Sequence, residues 1–316
     1  MIDDLMQEMC SVRRADYYSS CDSMVERRAD WMRAVPDDTP LGRMTIPGTH
    51  DSCAMYGGHL VSCQSLSLRD QLEAGIRFLD IRLRAAYDRL DVHHGIVYQY
   101  LSFDDVMSEV GEFLRRQPTE AVVMRIKEEQ PPVGTSWYSH VMHEGLCASL
   151  AHEEKLCCAA RPPGLSFAHL VQEGICASLL PAEDASARTP LGALRGKLLV
   201  LPNYKARPWP GGALDYGALR CQDDYHVPTV FHIYSRKIPA IVAALEEART
   251  SEALWLHHLS GSSAGCYPYT CARFTNALGI EELRKPARCG YGIIAADYPG
   301  PELIAACIEQ NPMASG

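Results

Sequence analysis

Histidines, carboxylates and basic residues fall in this sequence at the ends of short strand-like runs, where a folded chain can expose them. Ile46-Pro47-Gly48-Thr49-His50-Asp51-Ser52 closes one such run with a sharp Pro-Gly turn, then sets an imidazole beside a carboxylate. At the end of a βα-barrel strand both groups would stand on the catalytic face. The plainer alternative is a turn cap, with Asp51 satisfying backbone donors and His50 a bystander. In Phe78-Leu79-Asp80-Ile81-Arg82-Leu83-Arg84 the period of two places Asp80, Arg82 and Arg84 on one side of a strand. Charges on an inward face are costly unless paired, so this run asks for an internal Asp-Arg bridge or a substrate anion.

Four more clusters follow the same rule. Val92-His93-His94-Gly95 sets a histidine pair ahead of a glycine that lets another group approach closely. Arg125-Ile126-Lys127-Glu128-Glu129 and Cys221-Gln222-Asp223-Asp224-Tyr225 trail two further runs and read equally well as solvated loop charge. Ile293-Ile294-Ala295-Ala296-Asp297-Tyr298 is an apolar strand ending in a single carboxylate, well placed to orient a histidine. Together the clusters supply two histidines, carboxylates to orient them, an arginine and a lysine. A general base, a general acid and a cationic clamp form a complete set for cleaving a phosphodiester without metal.

The elements that must position these groups recur as β-rich runs separated by helical or loop-like stretches, the cadence of a βα barrel. Strands are expected near residues 43–47, 77–83, 91–93, 121–126, 197–201, 219–221, 253–259 and 292–296, the eight that a closed barrel requires. Helices are expected over 67–74, where Leu68 and Leu72 recur at helical spacing, and over 102–116, where Val106, Val110, Phe113 and Leu114 share a face. A stretch over 131–190, rich in Cys, Ala, Pro and His, exceeds an ordinary connection and should carry one or two helices of its own. Residues 1–28 read as a polar, helical extension and 29–316 as a single catalytic domain; Cys10 and Cys21 are conceivable lipid acceptors.

Bulk composition narrows the partners. Hydrophobic residues make up 47% of the 316 and charged residues 22%, enough apolar surface for a large core. With 30 Lys and Arg against 39 Asp and Glu the formal charge is -9, which argues against nucleic acid and against bulk attraction to anionic membrane, so membrane contact should be local and transient. No run is long enough to span a bilayer and the acidic start is unlike a signal peptide; a cytoplasmic or peripheral location is expected, with secretion left open. The 13 cysteines contain no CxxC pair, which favours free thiols over a disulfide scaffold and lacks the spacing usual for zinc.

At this point the sequence resembles the bacterial phosphatidylinositol-specific phospholipases C, whose fold is a distorted TIM βα barrel of the α/β class. DWMRAVPDDTPLGRMTIPGTHDS over 30–52 is similar to the family's entry into its first strand. LRDQLEAGIRFLDIRLR, VHHG, AVVMRIKEE, GKLLVL, CQDDY and YGIIAADY then follow in the family's order, so the resemblance covers about residues 28–312. It implies that His50 is the general base acting on the inositol 2-hydroxyl, oriented by Asp297, and that His94 is the general acid for the diacylglycerol oxygen, helped by Asp51. It implies Arg82 as the phosphate clamp, Lys127, Asp223 and Tyr225 on the inositol ring, and Asp80 in support. The substrate carries its own nucleophile, so the implied products are diacylglycerol and inositol 1,2-cyclic phosphate. Imidazoles ordinarily titrate near neutrality, which implies a bell-shaped rate profile.

The resemblance also implies a monomer without cofactor or metal, active in chelator, since Arg82 and Lys127 would repel calcium. Two departures stand out. Leu201-Pro202-Asn203-Tyr204 puts Asn203 where the family pattern has an inositol-contacting arginine, with Lys205 or Arg207 as possible substitutes. Residues 53–65 form a short rim without tryptophan, leaving interfacial contact to Tyr267 and Tyr269. Glycosylated phosphatidylinositol anchors are a second substrate for such a site. A metal-dependent glycerophosphodiesterase-like barrel and a non-catalytic phosphoinositide-binding barrel are the rival readings.

Overall fold

Nine strands form one sheet in the computed structural model, which describes residues 27–86, 89–132, 166–178, 185–205 and 209–313. The strands are β1 (Thr45–Thr49), β2 (Phe78–Ala86), β3 (Arg89–His94), β4 (Val97–Ser102), β5 (Val122–Gln130), β6 (Leu198–Asn203), β7 (Arg220–Gln222), β8 (Trp255–His258) and β9 (Gly292–Ala296). Seven of them run parallel in the order β6-β5-β2-β1-β9-β8-β7, curling into a barrel-like half ring. β1 and β9 are buried along their whole length, as strands covered on both faces should be. Ile46, Ile293 and Ala295 join the main core with Phe78, Leu79, Ile81 and Ile126, while Ile294 and Ala296 pack into a second cluster with Leu259 and Leu303.

The expected closed ring of eight strands is corrected in two ways. The third expected strand, at 91–93, is not a ring strand: β3 and β4 form an antiparallel hairpin on the far half of β2, with Leu83 opposite Val92 and His94 opposite Val97. Only two residues separate β2 from β3 and two separate β3 from β4, whereas a parallel crossover needs a dozen or more. The second correction is that no ladder joins β6 to β7 among the described residues, so the ring is open there. The other strands start within about two residues of the expected positions, and β2 and β5 run on to Ala86 and Gln130, past the expected ends at 83 and 126.

The long β2 is what creates the site. β1 pairs with it only at Phe78 and Leu79, and the chain leaves the sheet after Thr49, so β3 takes over the same edge from Leu83 onward. In the gap, Ser52 N–H donates to the Asp80 carbonyl at 2.9 Å and Ser52 Oγ accepts from Asp80 N–H at 2.8 Å. On its other edge β2 pairs with β5 through a register shift: Leu83 opposes Glu128 and Arg84 opposes Gln130, leaving Glu129 as an extra residue. A bulge of this kind re-aims a side chain beside a site.

The helices cover the outside. α1 (Leu68–Ala74) is capped by Ser67, which accepts from Asp70 N–H, and ends at Gly75 with a left-handed φ of 111°. α2 (Phe103–Arg116) opens on a capping box between Ser102 and Asp105 and buries Val106, Val110, Phe113 and Leu114, the expected stripe. α3 (Phe167–Ser178) is the described part of the helical content expected over 131–190. α4 (Ile238–Ala248), α5 (Pro268–Leu283) and α6 (Pro301–Glu309) complete the coat, and no helix among the described residues is long and apolar enough to cross a membrane. The N-terminal extension with Cys10 and Cys21, and Arg207, lie outside the described residues, apart from the last two residues of that extension.

Candidate active site

On one side of the barrel mouth, an imidazole is fixed by two neighbouring parallel strands. His50 follows β1 directly, its N–H donating to the Ala296 carbonyl at 3.0 Å. Gln64 Nε2 donates to the carbonyls of both His50 and Ala296, at 2.7 and 3.1 Å, clamping the two strand ends together. The ring Nδ1 lies 2.8 Å from Asp297 Oδ1 and Nε2 lies 2.6 Å from Arg82 Nη2. A guanidinium cannot accept, so Nε2 must hold the lone pair and Nδ1 the proton shared with Asp297. That is the tautomer a general base needs.

The second imidazole is held by loops. His94 ends β3, and its Nδ1–H donates to the Val61 carbonyl at 2.7 Å, which leaves Nε2 facing Asp51 Oδ2 at 3.5 Å. Gly95, in a left-handed conformation at φ 56°, donates its N–H to Glu129 Oε1 at 3.0 Å, so the hairpin turn is tied to the β5 bulge. Asp51 also has positive φ, at 43°, a conformation that aspartate tolerates better than most residues. It has no exposed surface, and neither carboxylate oxygen makes a hydrogen bond.

Arg82 stands between the flanks. Its guanidinium reaches Asp80 at 3.2 Å, Asp51 at 3.4 Å and Glu129 at 3.5 Å. Asp80 is braced in turn by Arg125 at 3.1 Å and accepts the Asp51 N–H at 3.1 Å. Burial opposes ionisation of Asp80, yet Arg125 and Arg82 together hold its carboxyl well below the usual range. Burial likewise opposes the charge on Arg82, and Asp51 and Asp80 outweigh it, keeping the guanidinium charged. For Asp51 the balance reverses: burial raises its pKa despite Arg82 and His94. Glu129 is held low against burial by Arg82 and Lys127.

A family model described as "Phosphatidylinositol-specific phospholipase C, X domain" matches residues 38–162. A 1-phosphatidylinositol phosphodiesterase of Listeria monocytogenes is 30% identical over 305 residues, covering 89% of this chain and 84% of that protein. The chain belongs to the phosphatidylinositol-specific phospholipase C family. The solved structure of the phospholipase C from Listeria monocytogenes matches 91% of this chain and 100% of its own, with a TM-score of 0.66 at 26% identity. A variant of the Staphylococcus aureus phospholipase C covers 92% and 100% with a TM-score of 0.71 at 20% identity, a likeness of fold.

Within this phospholipase C fold the six core residues expected from sequence come together: His50, Asp51, Asp80, Arg82, His94 and Asp297. Lys127 sits beside them through its pair with Glu129 at 2.7 Å. Asn203 is opposite Lys127 in the β5–β6 register, and with its amide swapped end for end, the orientation the surrounding donors require, its oxygen accepts from Arg125 Nε and Nη2 at 3.0 and 2.7 Å. A guanidinium is therefore present at this level of the barrel, supplied by β5 and lying 4.6 Å over the Tyr216 ring. Asp223 and Tyr225 follow β7 and make no hydrogen bond or ion pair with the histidines or Arg82; Tyr225 is exposed. Lys205 is exposed after β6.

Several contributors escaped the sequence reading. Glu129 was visible only as loop charge, because a bulge leaves no sequence mark. Arg125 shares the period of Lys127 in β5 and could have been found from it. His258 lies edge-on to His50 with ring centroids 5.7 Å apart, while its neighbour His257 faces away to the Tyr291 carbonyl at 2.9 Å. Burial, then the neighbouring His50, holds His258 well below its ordinary pKa, so it stays neutral. Among the described residues two groups could ligate a metal: His50, Cys63 and Asp297, and Asp51, Cys63 and His94.

Proposed function

We propose that this chain cleaves phosphatidylinositol to diacylglycerol and inositol 1,2-cyclic phosphate by general acid–base catalysis that needs no metal ion. The observation that carries this reading is one guanidinium between two imidazoles, with His50 Nε2 against Arg82 and His94 Nε2 against Asp51, which Arg82 also reaches. His50 Nε2 takes the proton of the inositol 2-hydroxyl, and Asp297 stabilises the imidazolium that forms. Arg82 gives up its contact with His50 to the phosphate and stabilises charge on the nonbridging oxygens as the ring closes. His94 Nε2–H, with Asp51 beside it, protonates the departing diacylglycerol oxygen. Lys127, Asp223, Tyr225 and Asn203 face the inositol, the last acting through Arg125.

The rim supports docking of a monomer on a membrane surface. Met55, Tyr56 and Leu60 on the loop over His94, Tyr100 on β4 and Tyr267 beyond β8 are exposed large apolar side chains, whereas Tyr269 packs edge-on against Tyr298 at 5.5 Å. Shallow contact of this kind suits an acidic protein that visits lipid transiently.

The test is incubation of the protein with phosphatidylinositol vesicles in EDTA, followed by phosphorus NMR. A cyclic phosphodiester signal should appear and should vanish in His50→Ala. Loss of turnover in EDTA, or a phosphomonoester as the first product, would replace this reading with the metal-dependent one.

A further inference from the structure

Cys63 has no exposed surface and no part in the chemistry above. Its N–H donates to the Ala54 carbonyl at 2.8 Å, and its carbonyl accepts the Tyr298 N–H at 2.9 Å, which suspends the residue between the His50 and His94 flanks. Its Sγ belongs to both groups of potential ligands, each with all donor atoms within 4.8 Å of one another. The two groups are not equivalent. In one, His50 Nδ1 and Asp297 are already bonded at 2.8 Å and His50 Nε2 is engaged by Arg82. In the other, the Val61 carbonyl accepts the hydrogen bond of His94 Nδ1–H, so Nε2, once deprotonated, can ligate, and both Asp51 oxygens lack a hydrogen bond although fully buried.

We propose that Cys63, Asp51 and His94 form a site for a thiophilic divalent cation of the zinc class, and that filling it switches the enzyme off. The geometry needs little adjustment. His94 Nε2 and Asp51 Oδ2 are 3.5 Å apart, and a tetrahedron with bonds of about 2.1 Å has edges of about 3.4 Å. The Val61 carbonyl supplies the orienting contact that a metal-bound histidine requires. Charge also fits: the carboxylates of Asp51, Asp80, Glu129 and Asp297 outnumber the cations of Arg82, Arg125 and Lys127 by one. When the metal–sulfur and metal–nitrogen bonds form, the thiol proton and the Nε2 proton that His94 carries as the acid both leave to solvent, and the thiolate charge together with the surplus carboxylate is matched by the divalent ion. Calcium, which takes six to eight oxygens, finds one carboxylate here and a thiol, so the site selects soft ions.

Inhibition, though not binding, rests on the acid–base reading, because the ion would occupy the nitrogen that must carry the leaving-group proton. Binding is therefore read separately. Metal-stripped protein titrated with cobalt(II) should develop a thiolate-to-cobalt charge-transfer band, absent in Cys63→Ala. Zinc X-ray absorption on the unaltered protein at one equivalent should show a single sulfur among nitrogen and oxygen ligands. Low micromolar free zinc should lower turnover at least about tenfold, and Cys63→Ala should turn over alike in zinc and in chelator. No band, a band that persists in Cys63→Ala, or two sulfurs at the zinc would overturn the proposal while leaving activity in EDTA untouched. Inactivity in EDTA would instead count against the acid–base reading.

Discussion

The two flanks of the site solve the same problem, holding an imidazole at a phosphate, with different materials. His50 is held by the sheet: β1 and β9 pair through five successive residues, and Gln64 clamps their ends where His50 and Asp297 emerge. His94 is held by loops: a hairpin outside the ring, one contact to the Val61 carbonyl, and one from Gly95 to Glu129. A nucleophile-activating base works only with its lone pair on one nitrogen, so a rigid carboxylate partner is worth most there. A proton donor to a departing lipid has to follow a group that leaves, and a hairpin mounted on the rim allows that.

The sharpest way to break this comparison is Asp297→Asn. The amide can donate to Nδ1 and so fix the wrong tautomer of His50, and kcat/KM should fall on the order of 10³–10⁴ with circular dichroism unchanged. A loss below about tenfold would mean that the base flank does not depend on its carboxylate. Glu129→Gln loosens the other flank by removing the anion beside Arg82 and Lys127 and weakening the tether to Gly95. Steady-state kinetics should show kcat/KM reduced about tenfold, the scale of a lost supporting contact.

Asp51→Asn should show the smallest effect, and on stability its sign is the reverse of the usual one. Burial raises the pKa of this carboxyl above its unfolded value, so the native state loses stability as pH rises through the ordinary carboxylate range to that raised value. The neutral amide avoids this, so thermal melts at pH 7 should show a gain on the order of 1 kcal/mol, a few degrees in Tm, while turnover falls. The gain should disappear below about pH 4, where the wild-type carboxyl is protonated in both states. A variant less stable than wild type at pH 7 would show that Asp51 is held by its cations rather than strained between them.

The same contrast decides what the sequence reveals. His50 and Asp297 sit where an apolar run meets a polar residue, and Arg82 alternates with apolar neighbours in β2, so these positions stand out as local pattern, while their roles as base, orienting acid and clamp come from the family resemblance. The acid flank is less legible. His94 is expected to follow a ring strand at 91–93, although two-residue connections on either side of β3 permit only an antiparallel hairpin. Glu129 enters the site through a bulge, and Val61 and Cys63 through a loop with no period at all. Zinc-type spacing is absent because the three candidate ligands come from opposite ends of the long β1–α1 connection, at 51 and 63, and from the end of β3, at 94. The open seam between β6 and β7 likewise leaves no mark, since each strand looks locally like its neighbours.

The most direct test of the acid–base pair is a change of leaving group. An inositol phosphate ester of a nitrophenol departs without needing a proton, so His94→Ala should lose far less activity on it than on phosphatidylinositol, while His50→Ala should lose about as much on both. Equal losses for His94→Ala on the two substrates would contradict a general acid at that position. A rescue of His50→Ala instead would exchange the roles assigned to the two flanks.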